Sequence, residues 1–217
     1  MGGAVTELIL ASASPRRSEL LAALRLPFRC VPAAVDETST PQEAPEALCC
    51  RLSFEKAQAV SRDFPDATVI GADTIVVLDG TILGKPSSPA DAVAMLRALR
   101  GRPHEVLSAV SVCQEGAPPR QHLERSRVWM RAYTEAEIRA YVATGDPLDK
   151  AGAYAIQHPG FHPVARWEGC YASIVGLPLA AIARLLAQAG WRSPVEVAEA
   201  CHRATGVACC QLAEGVL

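Results

Sequence analysis

Val69-Ile70-Gly71-Ala72-Asp73-Thr74-Ile75-Val76-Val77-Leu78-Asp79-Gly80-Thr81-Ile82-Leu83 sets the architecture of this chain. Val69 to Ala72 reads as a buried strand ending at Asp73, since a short apolar run closed by a polar residue suits a strand covered on both faces. Ile75 to Leu78 continues as strand. Asp79-Gly80 before Thr81–Leu83 is a hairpin turn, because both residue types tolerate positive φ. Upstream, Leu8–Leu10 is another buried strand. Ser14 then takes the N-cap and Pro15 the first position of a helix with Leu20, Leu21 and Leu24 on its apolar side. Val31 to Pro45, rich in Pro, Thr and acidic residues, reads as extended or loop. A helix follows from about Glu46 to Ser61, with Leu48, Leu52 and Val60 on related faces.

Downstream, Ser88-Pro89 opens a helix carrying Met95, Leu96 and Leu99, and Gly101 closes it. Val106–Cys113 and Ser126–Met130 read as strands. Thr134, followed by Glu135 and Glu137, caps a helix that Gly145 ends. Pro178 to Ala189 is a further helix, and the segment after Pro194 is a helical candidate. Strands and helices alternate irregularly, which predicts a mixed α/β fold around a long twisted mixed sheet.

The 217 residues allow one large domain or two lobes sharing a core. Half are hydrophobic and a fifth charged, a globular composition. The net charge of −2 argues against a duplex-binding protein, so no nucleic-acid partner is expected. No run reaches the length of a membrane span. Met1 to Leu10 carries Glu7 and no positive region, so no signal peptide is read and the expected location is the cytoplasm. With no export signal, the eight cysteines are expected as reduced thiols. Cys201-His202 with Cys209-Cys210 also permits a soft-metal reading, though adjacent cysteines rarely share one ion.

Several segments carry chemistry. Ser14-Pro15-Arg16-Arg17 puts two guanidinium groups in a first helical turn, where the macrodipole opposes each by ~0.3–1 kcal/mol. Either they are solvated, or they join the free N–H groups and the Ser12 and Ser14 hydroxyls in gripping an anion such as phosphate. Asp73, at a strand end, either caps a turn or works in a site. With Glu37 on its loop it forms a carboxylate pair suited, beside phosphates, to Mg²⁺ or Mn²⁺. Lys85 in Gly84-Lys85-Pro86 and Lys56 within the second helix are each a point charge for phosphate or a solvated side chain. Asp149 through Gln157 contains small residues that admit close backbone approach, and Gln157 offers both donor and acceptor to a base edge. The P-loop, dinucleotide and nucleophile-elbow patterns are absent.

In this order, Leu10-Ala11-Ser12-Ala13-Ser14-Pro15-Arg16-Arg17, Asp36-Glu37, Lys56-Ala57, Ile70 through Gly80, Ile82 through Pro86, Gly101-Arg102, Thr144 through Pro147, Asp149 through Gln157 and Val175 through Leu179 closely resemble the Maf family of nucleotide pyrophosphatases, over about residues 7 to 190. The resemblance implies an elongated, mixed twisted sheet with flanking helices and two lobes around a cleft, related to ITPase-like enzymes. It implies hydrolysis of a nucleoside triphosphate between the α- and β-phosphates with a divalent metal cation (Mg²⁺ or Mn²⁺), and a homodimer. The family-like domain would span 1–194. Residues 195–217, which have no counterpart in the pattern, would be a C-terminal extension of unknown role.

The implied roles follow residue by residue. Asp73 is the catalytic base. Ser12, Ser14, Arg16, Arg17, Lys56, Lys85, Thr74 and Gln157 bind substrate, with Arg16, Thr74 and Gln157 setting base preference. Glu37 and Asp73 hold the metal. Asp73-Thr74 and the Asp149–Gln157 segment resemble the branch acting on dTTP and UTP, together with modified pyrimidine nucleotides. The chain departs from the pattern at Ala155, His158, Trp167 and Cys170, all outside the catalytic set. Two alternatives stand beside this expectation: the 7-methyl-GTP branch, and a regulatory binding protein in cell division and septum formation.

Overall fold

The structure, a computed structural model, describes residues 7–40 and 42–209. Its elements are β1 (Leu8–Leu10), α1 (Pro15–Ala22), β2 (Arg29–Cys30), α2 (Pro45–Asp63), β3 (Thr68–Leu78), β4 (Thr81–Leu83), α3 (Pro89–Leu99), β5 (Pro103–Cys113), β6 (Arg120–Met130), α4 (Glu135–Ala143), two 3₁₀ turns (Asp146–Asp149, Ala151–Ala153), β7 (Val164–Glu168), α5 (Tyr171–Val175), α6 (Leu179–Gln188) and α7 (Val197–Thr205). The strands form one mixed sheet in the order β2-β1-β3-β5-β6-β7, with β4 paired to β3. The mixed α/β expectation and the helices after Ser14, Ser88 and Thr134 are all present. Asp79 (φ 49°) and Gly80 (φ 78°) make the hairpin turn with both residues left-handed. No helix among the described residues is long and apolar enough to cross a membrane.

One expectation is corrected. Asp73 does not lie where a strand ends: β3 runs unbroken through it. The reason is its partner, since β5 pairs antiparallel with β3 from Val69↔Cys113 to Val77↔Glu105. The interruption lies on the opposite edge. There β1 pairs parallel with β3 only as far as Leu10↔Ile70, and β4 pairs only from Val76↔Leu83 onward. Among the described residues Gly71 to Ile75 therefore has no strand on that edge, and the sheet carries a notch beside Asp73 and Thr74.

The period-two alternation of β3 turns this notch into a cleft. On one face, Ile70 and Ala72 pack with Leu20, Leu21, Leu24 and Ile182. Further along the same face, Val76 and Leu78 pack with Leu96, Leu99 and Ile138. Thr74 falls between these two cores, which form two lobes. The other face is covered by α2: Ala57 and Val60 pack on Val69, and Cys49 packs on Ile75 and Val77. α7 adds Ala200 and Cys201 to the first lobe, and the Ser193 hydroxyl donates to the Leu24 carbonyl at 3.0 Å. Cys210 lies outside the described residues. Within them no group of three His, Cys, Asp or Glu is placed to hold a metal, and His202 is exposed.

Gly71 sets how closely α2 approaches β3. A Cβ there would stand 2.1 Å from the Ser53 carbonyl oxygen and 2.6 Å from the Ala57 nitrogen, so helix backbone occupies the space a side chain needs. Gly71→Ala must push α2 outward. The expected cost is ~1–3 kcal/mol, seen as a lower midpoint in urea unfolding, with loss of any activity that depends on Lys56.

Candidate active site

The notch opens into a cleft of about 470 Å³ lined by every residue singled out from the sequence: Ser12, Ser14, Arg16, Arg17, Glu37, Lys56, Asp73, Thr74, Lys85 and Gln157. They reach it from separate directions. Lys56 follows Leu52 and Ser53 on the buried stripe of α2 and is only 8% exposed. A buried ammonium is tolerated only with counter-charge. Asp73, two residues along from Gly71 on the same face of β3, supplies it: Lys56 Nζ lies 2.6 Å from Asp73 Oδ1. Glu37 arrives from the loop before α2, with Oε1 2.6 Å from the same Nζ and Oε2 3.9 Å from Lys85 Nζ. Burial acts to raise the Glu37 carboxyl. The hydrogen bond and charge of Lys56, helped by Lys85 and Arg17, prevail and hold it below the ordinary carboxylate value.

On the other face Arg17 is braced by three acceptors. Nε donates to the Gly176 carbonyl at 3.0 Å, Nη1 to Ser12 Oγ at 3.4 Å and Nη2 to Thr74 Oγ1 at 3.4 Å. Burial lowers its pKa, and the charges of Asp73 and Glu37 oppose that shift. Arg16, beside it, makes no hydrogen bond or ion pair among the described residues. Ser14 stands at the N-cap, but its hydroxyl makes no capping bond, which leaves first-turn N–H groups open to the cleft. Ser12 Oγ accepts from the Ser14 nitrogen at 3.1 Å and turns this segment inward.

The segment Asp149–Gln157 forms the far wall. Lys150, 7% exposed, is held by Asp149 Oδ1 at 2.6 Å and Asp146 Oδ1 at 3.0 Å. Gly152 (φ 66°) donates its N–H to the Gly84 carbonyl at 3.0 Å, which joins the Lys85 loop to the loop bearing Gln157. Gln157 itself is exposed at the cleft. His158 caps its loop: Nδ1 accepts from the Gly160 and Phe161 nitrogens at 3.2 and 2.9 Å.

Sequence reasoning missed His104, a lone histidine in a strand with no spacing signal. It is 4% exposed, and its Nε2 lies 2.7 Å from the hydroxyl of the buried, cleft-lining Tyr154. Nδ1 has no partner. Burial pushes the imidazole down to about 4. The unfolded chain then binds a proton below pH 6.5 that the folded one refuses until about 4, so stability falls as pH drops through that window. Between pH 7 and pH 5 this residue should remove about 2 kcal/mol of unfolding free energy. Urea titrations of the wild type and His104→Gln at both pH values should show that part of the loss only in the wild type.

The profile of the Maf-like protein family matches residues 7–189. A dTTP/UTP pyrophosphatase of Desulfotalea psychrophila is 48% identical over 180 residues, covering 82% of this chain and 92% of that protein. Another, of Moorella thermoacetica, is 50% identical over 184 residues, covering 84% of this chain and 95% of that protein. Among solved structures, the Staphylococcus aureus Ham1 protein aligns with a TM-score of 0.44 and 15% identity, over 58% of this chain and 73% of that one. With the family profile spanning both lobes and the cleft between them, this chain belongs to the family of Maf-like proteins.

Proposed function

We propose that this protein is a nucleoside triphosphate pyrophosphatase that hydrolyses dTTP and UTP to the monophosphate and pyrophosphate. The observation that carries this reading is the convergence on one cleft of a carboxylate pair and four cations: Asp73 and Glu37 with Lys56, Lys85, Arg16 and Arg17. A triphosphate brings the negative charge those cations need. The substrate named for the relatives at 48% and 50% identity supports the choice of dTTP and UTP.

In this reading Asp73 is the general base. Oδ1 is taken by Lys56, and Oδ2 makes no hydrogen bond among the described residues. Oδ2 would accept a proton from a water as its oxygen bonds to the α-phosphorus. The α–β bridging bond breaks, and pyrophosphate leaves with the electron pair. Arg16, Arg17, Lys56 and Lys85 offset the charge that develops on it. The Ser12 and Ser14 hydroxyls and the open N–H groups of α1 complete the phosphate cradle. Arg16, Thr74 and Gln157 face the nucleoside and set its identity.

Glu37 and Asp73 fit a divalent cation in donor chemistry, since their hard oxygens already converge on a single positive charge. Remaining ligands would come from phosphate oxygens and water. When bound, such an ion lowers the cost of ionising water and screens phosphate charge. Residues 1–194 form the catalytic unit in this proposal, with 195–217 an extension to it.

Pyrophosphate release should be followed for dTTP, UTP, CTP, 7-methyl-GTP and ITP, with Mg²⁺, Mn²⁺ or EDTA. Metal-dependent turnover of dTTP and UTP is expected, reduced ~10²–10⁴-fold in Asp73→Asn. Folded protein that releases nothing from any triphosphate would overturn the proposal.

A further inference from the structure

Thr74 has an unusual support. It pairs directly across the sheet with Ser108 of β5, a residue with no exposed surface. The two hydroxyl oxygens are 2.8 Å apart. Ser108 Oγ also donates to the Ser173 carbonyl at 2.7 Å. That carbonyl needs the donor. It lies in the last turn of α5, and the backbone N–H groups three and four residues on, of Gly176 and Leu177, both go to Ala172 instead. Ser173 is fixed in turn by its own hydroxyl, 2.9 Å from Ser126 Oγ. Leaving a buried carbonyl unpaired carries its full desolvation cost.

A hydroxyl has one proton. Ser108 commits its proton to Ser173, so in the bond between the two side chains Thr74 donates and Ser108 accepts. The other acceptor near Thr74, the Gly176 carbonyl, is longer at 3.4 Å. The Thr74 proton therefore points into the sheet, and toward the cleft its oxygen offers lone pairs alone. The donor already on that side agrees: Arg17 Nη2 points at Thr74 Oγ1 from 3.4 Å.

We infer that Ser108 is a positioning residue that determines base specificity, by holding Thr74 as an obligate hydrogen-bond acceptor. This rests on the reading that Thr74 faces the base. An acceptor there favours a pyrimidine whose ring nitrogen carries a proton, N3–H of thymine or uracil. It disfavours cytosine, whose N3 is itself an acceptor and would leave two lone pairs opposed. A hydroxyl free to rotate would serve both.

The test is the ratio of kcat/KM for dTTP to that for dCTP in the wild type, Ser108→Ala, Ser108→Cys and Thr74→Val. Ser108→Ala should lower the ratio about tenfold or more, mainly through a gain on dCTP. Ser108→Cys, which keeps the volume with a weak donor and acceptor, should move it the same way if the alanine variant folds poorly. A ratio that falls in Thr74→Val but stays at the wild-type value in both Ser108 variants, with both substrates slowed alike, would make Ser108 merely structural and overturn the inference. A ratio unchanged in Thr74→Val would overturn the reading of Thr74 as a base contact, and the inference with it.

Discussion

The buried contact between Lys56 and Asp73 is the interaction on which the site depends. Neither side chain could occupy its position alone, because an uncompensated charge in a low-dielectric interior costs several kcal/mol. Their pairing ties α2 to the centre of β3. It also gives Glu37 a reason to fold its loop over the helix, since the Lys56 ammonium serves two carboxylates. Gly71 makes the pair geometrically accessible by letting helix backbone lie against strand backbone. A backbone constraint and an electrostatic one thus meet within three residues of sequence.

The sheet turns that pair into a usable site by being incomplete. A β3 edge fully covered by β1 and β4 would bury Asp73 behind strand backbone. Because β1 stops at Leu10 and β4 pairs with β3 only from Val76 onward, both faces of β3 open into one cleft. Asp73 enters it from the α2 side and Thr74 from the lobe side. Arg17 braces the lobe side by gripping Thr74, Ser12 and the Gly176 carbonyl just after α5. Lys56, bound to Asp73, and Arg17, bound to Thr74, therefore reach the cleft from opposite faces of β3.

Much of this was legible in the residues. The Asp79-Gly80 turn, the Ser88 and Thr134 caps and the apolar runs of β1 and β3 follow from local chemistry, which tertiary packing does not override here. Each residue expected at the site lines one cleft, because most of the motifs that carried the resemblance border the notch. The placement of Asp73 was not legible. A polar residue after an apolar run reads as a strand end, and only long-range pairing with β5 shows that the strand continues. β7 escaped notice because Val164 to Glu168 is a largely exposed edge without alternation. It is held by pairing with β6 and by Arg166 stacking 3.4 Å over Trp129. α5, at five residues, is too short for helical periodicity to register. His104 and Ser108 gave no signal because their meaning lies wholly in partners distant in sequence.

In the proposed reaction, water prepared by Asp73 attacks the α-phosphorus and expels pyrophosphate. Hydrolysis of dTTP in ¹⁸O-labelled water, with both products read by mass spectrometry, tests it directly. The expected result is one labelled oxygen in dTMP and none in pyrophosphate. Label in pyrophosphate, or release of orthophosphate from the γ position, would contradict it.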